Sequence, residues 1–131
     1  MRNITKQSVT GFMNSKAKKY GKNMEVVQMV DADFIDGTGY ALRLWGNTIA
    51  LRDDCQFFLT LAGHNTVTTR ERLNGLLQCY GINNVGFAQR NFAPVIVRDG
   101  KVIAEIRDID YITFSALAQL SCGDTDTLER I

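Results

Sequence analysis

His64 is the chain's single histidine, so imidazole chemistry has one address. It lies in Ala62-Gly63-His64-Asn65-Thr66-Val67-Thr68-Thr69-Arg70-Glu71-Arg72-Leu73-Asn74-Gly75-Leu76-Leu77, the stretch richest in chemically useful side chains. A Ser-His-Asp or Cys-His arrangement would have to use that residue. No Gly-x-Ser-x-Gly elbow accompanies it. No set of zinc ligands clusters around it, and the chain has no Gly-x-x-x-x-Gly-Lys phosphate loop. Asp53-Asp54 and Asp108/Asp110 supply paired carboxylates, but the first pair is adjacent at a turn, where the side chains diverge. Asp31, Asp33 and Asp36 fail the EF-hand template, which needs a glycine at loop position 6 and a bidentate glutamate at 12; they read as a solvated loop. These patterns point to a protein that is not an enzyme and carries no metal and no cofactor.

Binding remains. Arg43, Trp45, Asn47, His64, Asn65, Thr69, Arg70, Arg72, Arg90 and Asn91 are expected at hairpin ends and at a helix start. Guanidinium, amide and aromatic groups suit an acidic protein patch or a nucleotide. Free N–H groups at the helix start, with Arg70 and Arg72 beside them, form a place for an anion. The competing reading has those arginines solvated or paired with carboxylates.

The elements that position these residues follow from periodicity. Thr68 and Glu71 have the spacing of a capping box. Leu73, Leu76, Leu77 and Tyr80 then form one apolar stripe, and Gly81 is placed to end the helix. Val9, Phe12, Met13 and Ala17 make a weaker helical stripe, interrupted by Gly11 and Asn14. Met24–Val30 reads as a strand. Tyr40–Trp45 and Thr48–Arg52 read as a hairpin about Gly46-Asn47, with Leu44 opposite Ile49 and Leu42 opposite Leu51. Cys55–Leu61 is the next strand, with Phe57, Leu59 and Leu61 on one face. Val85–Arg90 is a short strand and Asn91–Pro94 is irregular. Val95–Arg98 and Lys101–Glu105 pair about an Asp99-Gly100 type I′ turn. Tyr111–Leu120 fits a helix with Phe114, Leu117 and Leu120 inward, or a strand at its start. The expected fold class is α+β: antiparallel hairpins with a central amphipathic helix on the sheet, plus an N-terminal helix and a possible C-terminal one.

At 131 residues and 45% hydrophobic composition, the chain suits a single domain over 1–131 with a buried core. Residues 121–131 form a polar tail, a composition open to disorder. The longest apolar run is too short to span a bilayer, and no apolar segment follows the N-terminus as in a signal peptide. Cys55, Cys79 and Cys122 are odd in number and widely spaced, which fits a reducing cytoplasm. Net charge is only +1. Its distribution is uneven: Arg2, Lys6, Lys16, Lys18, Lys19 and Lys22 precede Glu25, whereas Asp108, Asp110, Asp124, Asp126 and Glu129 crowd the end. A basic head suits nucleic acid or head-to-tail contact between subunits.

Leu44-Trp45-Gly46-Asn47-Thr48-Ile49-Ala50 followed by Ala62-Gly63-His64-Asn65-Thr66-Val67-Thr68-Thr69-Arg70-Glu71-Arg72-Leu73-Asn74 resembles a family of small accessory proteins of tailed bacteriophages. Members read L-H-G-N-x-I-A, then A-G-W-x-T-x-T-T-x-E-R-L-N-A-L. Trp45 stands here where histidine is common, and His64 where tryptophan is common. Gly11–Lys16 and Gln89–Phe92 extend the likeness. The resemblance implies a virus-encoded protein working in the host cytoplasm, and carries no catalytic residues over. The leading expectation is a non-enzymatic binder that neutralises a host or defence protein. The alternatives are a nucleic-acid or nucleotide binder and a virion or assembly component. Hairpin edges further suggest a homodimer.

Overall fold

The computed structural model describes residues 1–29 and 39–123. The aspartate loop 31–36 and most of the C-terminal tail lie outside the described residues. Helix α1 (Asn3–Met13) leads into β1 (Lys18–Tyr20), β2 (Met24–Met29), β3 (Gly39–Leu44), β4 (Asn47–Asp53) and β5 (Phe57–Leu59). Then come α2 (Val67–Cys79), the hairpins of β6 (Val85–Arg90), β7 (Ala93–Arg98) and β8 (Lys101–Glu105), and finally β9 (Ile112–Thr113) and α3 (Phe114–Ser121). Strands β1 to β5 and β9 form one antiparallel sheet, and β6 to β8 a second. The class is α+β, as expected.

One hydrophobic cluster joins both sheets and all three helices. Leu73, Leu76 and Leu77 of α2 are fully buried, which places the predicted stripe in that core. Phe12, Phe57, Tyr80 and Phe114 extend it as a ring cluster; Phe57 and Phe114 stack with centroids 4.6 Å apart. Burial pushes the Tyr80 hydroxyl above its ordinary pKa, against the opposing pull of Arg52. Arg52 also holds the end of α1, donating to the Phe12 carbonyl at 2.6 Å and to Ser15 Oγ at 2.6 Å.

Two glycines let the helices come close. A Cβ on Gly75 would stand 2.4 Å from Thr5 Cγ2, so α1 and α2 touch there only because position 75 lacks a side chain. A Cβ on Gly11 would stand 1.9 Å from the Tyr20 hydroxyl oxygen. That glycine, which weakens helix propensity, makes room for the ring that joins β1 to α1.

Several expected details are corrected. The first hairpin turns at Trp45-Gly46, not Gly46-Asn47: both residues have positive φ (49° and 79°), as a type I′ turn requires. Leu44 therefore faces Asn47 instead of Ile49, and beyond a bulge at Ile49 Leu42 pairs with Ala50 instead of Leu51. Asn91-Phe92 is a two-residue hairpin turn rather than an irregular segment, with Arg90 opposite Ala93. In the third hairpin Arg98–Lys101 and Val97–Val102 pair as expected. Ile96 meets Ala104 instead of Ile103, because Ile103 is an extra, bulged residue. Ile112–Thr113 is a strand and the helix begins at Phe114, so both readings of that segment hold in turn.

Each sheet edge is blunted. β1 is short and carries exposed Lys18 and Lys19. β9 has two residues, and β8 is interrupted by its bulge. On β6, the Asn74 side chain from α2 takes both backbone groups of Phe87: Nδ2 donates to its carbonyl at 3.0 Å and Oδ1 accepts its N–H at 2.7 Å. A helix amide thus occupies the position of a neighbouring strand. The expected homodimer rested on open hairpin edges; of the four described edges only β6 runs six residues without a bulge, and Asn74 occupies it at Phe87.

Candidate functional site

The loop before α2 and the start of that helix were the densest chemical stretch in sequence. The N-cap is Thr66, not Thr68: its Oγ1 accepts the Thr69 N–H at 3.1 Å and contacts the Thr69 hydroxyl at 2.9 Å. Thr69 is buried by this arrangement and does not offer its hydroxyl to a ligand. Glu71 lies past the first turn and takes no capping role; it accepts from the Thr5 hydroxyl and pairs with Arg72.

Arg72 departs most from expectation. It is 2% exposed and points into the α1–α2 contact, where Nη1 donates to Thr5 Oγ1 at 2.8 Å and to Glu71. Its Nε finds no acceptor among the described residues. An arginine is rarely buried because losing hydration costs more than a partial set of contacts returns. Its place here is a bolt between two helices, and it is withdrawn from any ligand.

Arg70 is half-buried and clamped. Nη1 donates to Asn65 Oδ1 at 2.5 Å, and Asn65 Nδ2 donates to Gln89 Oε1 at 3.0 Å. This clamp ties the loop to the end of β6. A second tie runs from the Gly63 N–H to the Asp108 carbonyl at 2.9 Å, and a third from the Ile106 N–H to the Pro94 carbonyl at 3.3 Å. The 107–110 turn is itself braced by the Arg107–Asp110 ion pair at 2.9 Å. Three connections, 62–66, 89–94 and 106–110, are thereby fastened into one end of the molecule.

His64, Arg90, Asn91, Phe92, Arg107 and Ile109 are among the exposed side chains of that end. His64, Asn65, Arg70, Arg90 and Asn91 of the expected set are thus brought together, with Asn65 and Arg70 as scaffold beneath the others. The sequence reading missed Phe92, which is 92% exposed at φ 64°. Its signal was present. Val85, Phe87 and Gln89 alternate before Asn91-Phe92, and Val95 and Val97 after it, which centres a hairpin there. The absence of glycine in the turn concealed it.

Arg43, Trp45 and Asn47 make their contacts around the β3–β4 turn. Arg43 Nε donates to Thr48 Oγ1 at 3.4 Å, Asn47 Nδ2 to the Trp45 carbonyl at 3.5 Å, and the Trp45 N–H to the Asn23 carbonyl at 2.8 Å. Trp45 itself is 61% exposed. Among the described residues no group of His, Cys, Asp or Glu is placed to hold a metal ion. Cys55, Cys79 and Cys122 are free thiols.

An α+β scaffold presenting Trp45 and Phe92 at hairpin turns is the architecture. The lineage comes from comparison, and it is that of a bacteriophage protein. The family model described as Kyanoviridae Gp96 protein matches residues 1–118, and the chain belongs to that family. No curated protein and no solved structure matches it.

Proposed function

We propose that this phage protein acts by binding rather than by turnover. It docks onto a host or defence protein in the cytoplasm of the infected bacterium and neutralises it through the β6–β7 turn and the two connections fastened to it. The observation that carries the reading is Phe92. Leaving a phenylalanine in water forgoes about 1.5–3 kcal/mol of burial, and holding a non-glycine residue in the left-handed region costs about 1–2 kcal/mol more. Nothing in the fold returns those costs. An aromatic pocket anchor beside Arg90 has the composition of an interface hot spot, and the three backbone and side-chain ties beneath it supply the rigidity that such an anchor needs. The partner surface this fits is an apolar pocket with an acidic rim.

The test is capture from infected-host lysate with wild-type protein and with Phe92→Ala and Arg90→Ala. A partner identified with the wild type and then purified should bind each variant at least tenfold more weakly. Equal affinity for all three would overturn the assignment of the surface. Nucleotide or nucleic-acid turnover by the purified chain, abolished by His64→Ala, would overturn the non-enzymatic reading.

A further inference from the structure

Two lysines of the basic head, Lys19 and Lys22, lie at a pair of turns that takes no part in the Phe92 end, while Lys6, Lys16 and Lys18 line a separate recess beside α1. The Trp45 N–H bond to Asn23 draws the β3–β4 turn against the β1–β2 turn. Between them lies a recess of about 210 Å³ lined by Lys19, Lys22, Asn23, Glu25 and Trp45. Strand register sets Lys19 opposite Glu25 and Glu25 opposite Arg43, so one carboxylate sits between two cations of the same row. Lys22 adds a third cation at the turn. A chain with a net charge of only +1 therefore sets three cations against one carboxylate near its one tryptophan.

Trp45 is held in an unfavourable conformation for its type. It is mostly exposed at φ 49°, and its backbone is pinned by Asn23 while its ring stays in water. A solvent-facing indole on a backbone held by Asn23, with lysines beside it, is the arrangement that stacks a base and neutralises its phosphates. An acidic peptide would use the lysines and leave the indole idle. A duplex hides its base faces and gains nothing from it.

We propose that this recess binds single-stranded nucleic acid, with a base stacked on Trp45 and adjacent phosphates on Lys19 and Lys22. The site shares no residue with the Phe92 surface and goes beyond the protein-docking reading. It also relocates the nucleic-acid alternative, which the sequence had assigned partly to Arg70 and Arg72; those guanidinium groups are clamped or buried.

Because Trp45 is the only tryptophan, its fluorescence reports stacking directly. The full chain is titrated at low salt with oligothymidylate and oligouridylate of about a dozen residues, within the usual span of such sites. Saturable quenching is expected with one or both, and which sugar binds better identifies the natural strand. Raising salt should weaken binding, and Lys19→Glu with Lys22→Glu should lower the log–log salt slope by about 1.4, for two lost phosphate contacts. Trp45→Gly suits the positive φ and so keeps the turn; anisotropy of a labelled oligonucleotide should show about tenfold weaker binding. Phe92→Ala should leave these affinities unchanged, which separates failure here from failure of the docking surface. No quenching at low salt, equal quenching by polyglutamate, or binding indifferent to both sets of variants would overturn the proposal.

Discussion

The loop–helix junction and the hairpin turns use similar residue types to opposite ends. At the junction, Thr69, Arg70 and Arg72 are polar groups of the kind that bind ligands, yet their hydrogen bonds run inward to Thr66, Asn65 and Thr5. At the turns, Trp45 and Phe92 are residues of the kind that build cores, yet they stand in solvent on left-handed backbone. Residue type alone would assign the two regions the other way round. Burial and partner satisfaction decide. A polar group with its bonds already made is part of the frame, and an apolar group without neighbours is held out for something else.

The contrast can be broken most sharply at Arg72. Arg72→Ala leaves a cavity between α1 and α2 and strips Glu71 of its cation. It should cost about 3 kcal/mol or more, a fall in melting temperature on the order of 10 °C. Arg72→Met keeps most of the volume and removes the poorly satisfied charge, so it should lose clearly less. Equal, negligible losses in thermal denaturation would mean the junction is not a frame.

Gly75→Ala and Gly11→Ala come next. Each puts a methyl group where Thr5 or the Tyr20 ring already lies, and overpacking of this kind costs about 1–3 kcal/mol despite the better helix propensity of alanine. Urea midpoints should fall for both. A rise at either position would show that the helices can part freely.

Alkaline pH gives a smaller effect. Burial raises the pKa of Tyr20 and Tyr80 above the ordinary value of 10.0. The folded chain therefore holds protons that the unfolded chain has released. Stability should be constant below about pH 10 and fall as pH rises through the raised values. The Tyr20 hydroxyl also donates to the Lys16 carbonyl at 2.8 Å, a bond that ionisation removes. Denaturation between neutral pH and strong alkali should show the fall, and Tyr20→Phe should make it shallower.

The smallest stability change belongs to the turns. Phe92→Gly relieves the left-handed strain but frees the unfolded chain, so stability should move by no more than about 1 kcal/mol, while partner affinity drops. A variant that loses binding without losing stability is the signature of a presented side chain. A large destabilisation would move Phe92 into the frame.

Much of the frame was legible because apolar periodicity is a local signal that packing then uses. The Leu73, Leu76, Leu77 stripe, the helix end at Gly81, the meander of β3 to β5, the strand at Val85–Arg90 and the Asp99-Gly100 turn all follow from it. Turn geometry was less legible. Trp45 and Phe92 adopt positive φ without the residue preferences that announce it, so one register shifted and one hairpin went unread. Asn74 and Gly86 could not be interpreted from spacing. Asn74 lies in mid-helix because it pairs with Phe87, and Gly86 lies in a strand because a Cβ there would stand 2.9 Å from Asn74 Oδ1. The burial of Arg72 was missed for the same reason, because Thr5 is remote in sequence, whereas the competing reading that paired it with a carboxylate holds at Glu71.

The Asn74 side chain on β6 has a further consequence. With Phe87 already satisfied from within, an extra strand is hindered from adding to the smaller sheet along β6. New specificities must then be written into the short connections at the ends of the hairpins, where a residue can be exchanged without disturbing what lies beneath. Opening the border with Asn74→Ala should instead make a sticky protein, with self-association in light scattering before any change in helix content. Under the proposed docking role, such tips would let specificity change while the frame stays intact.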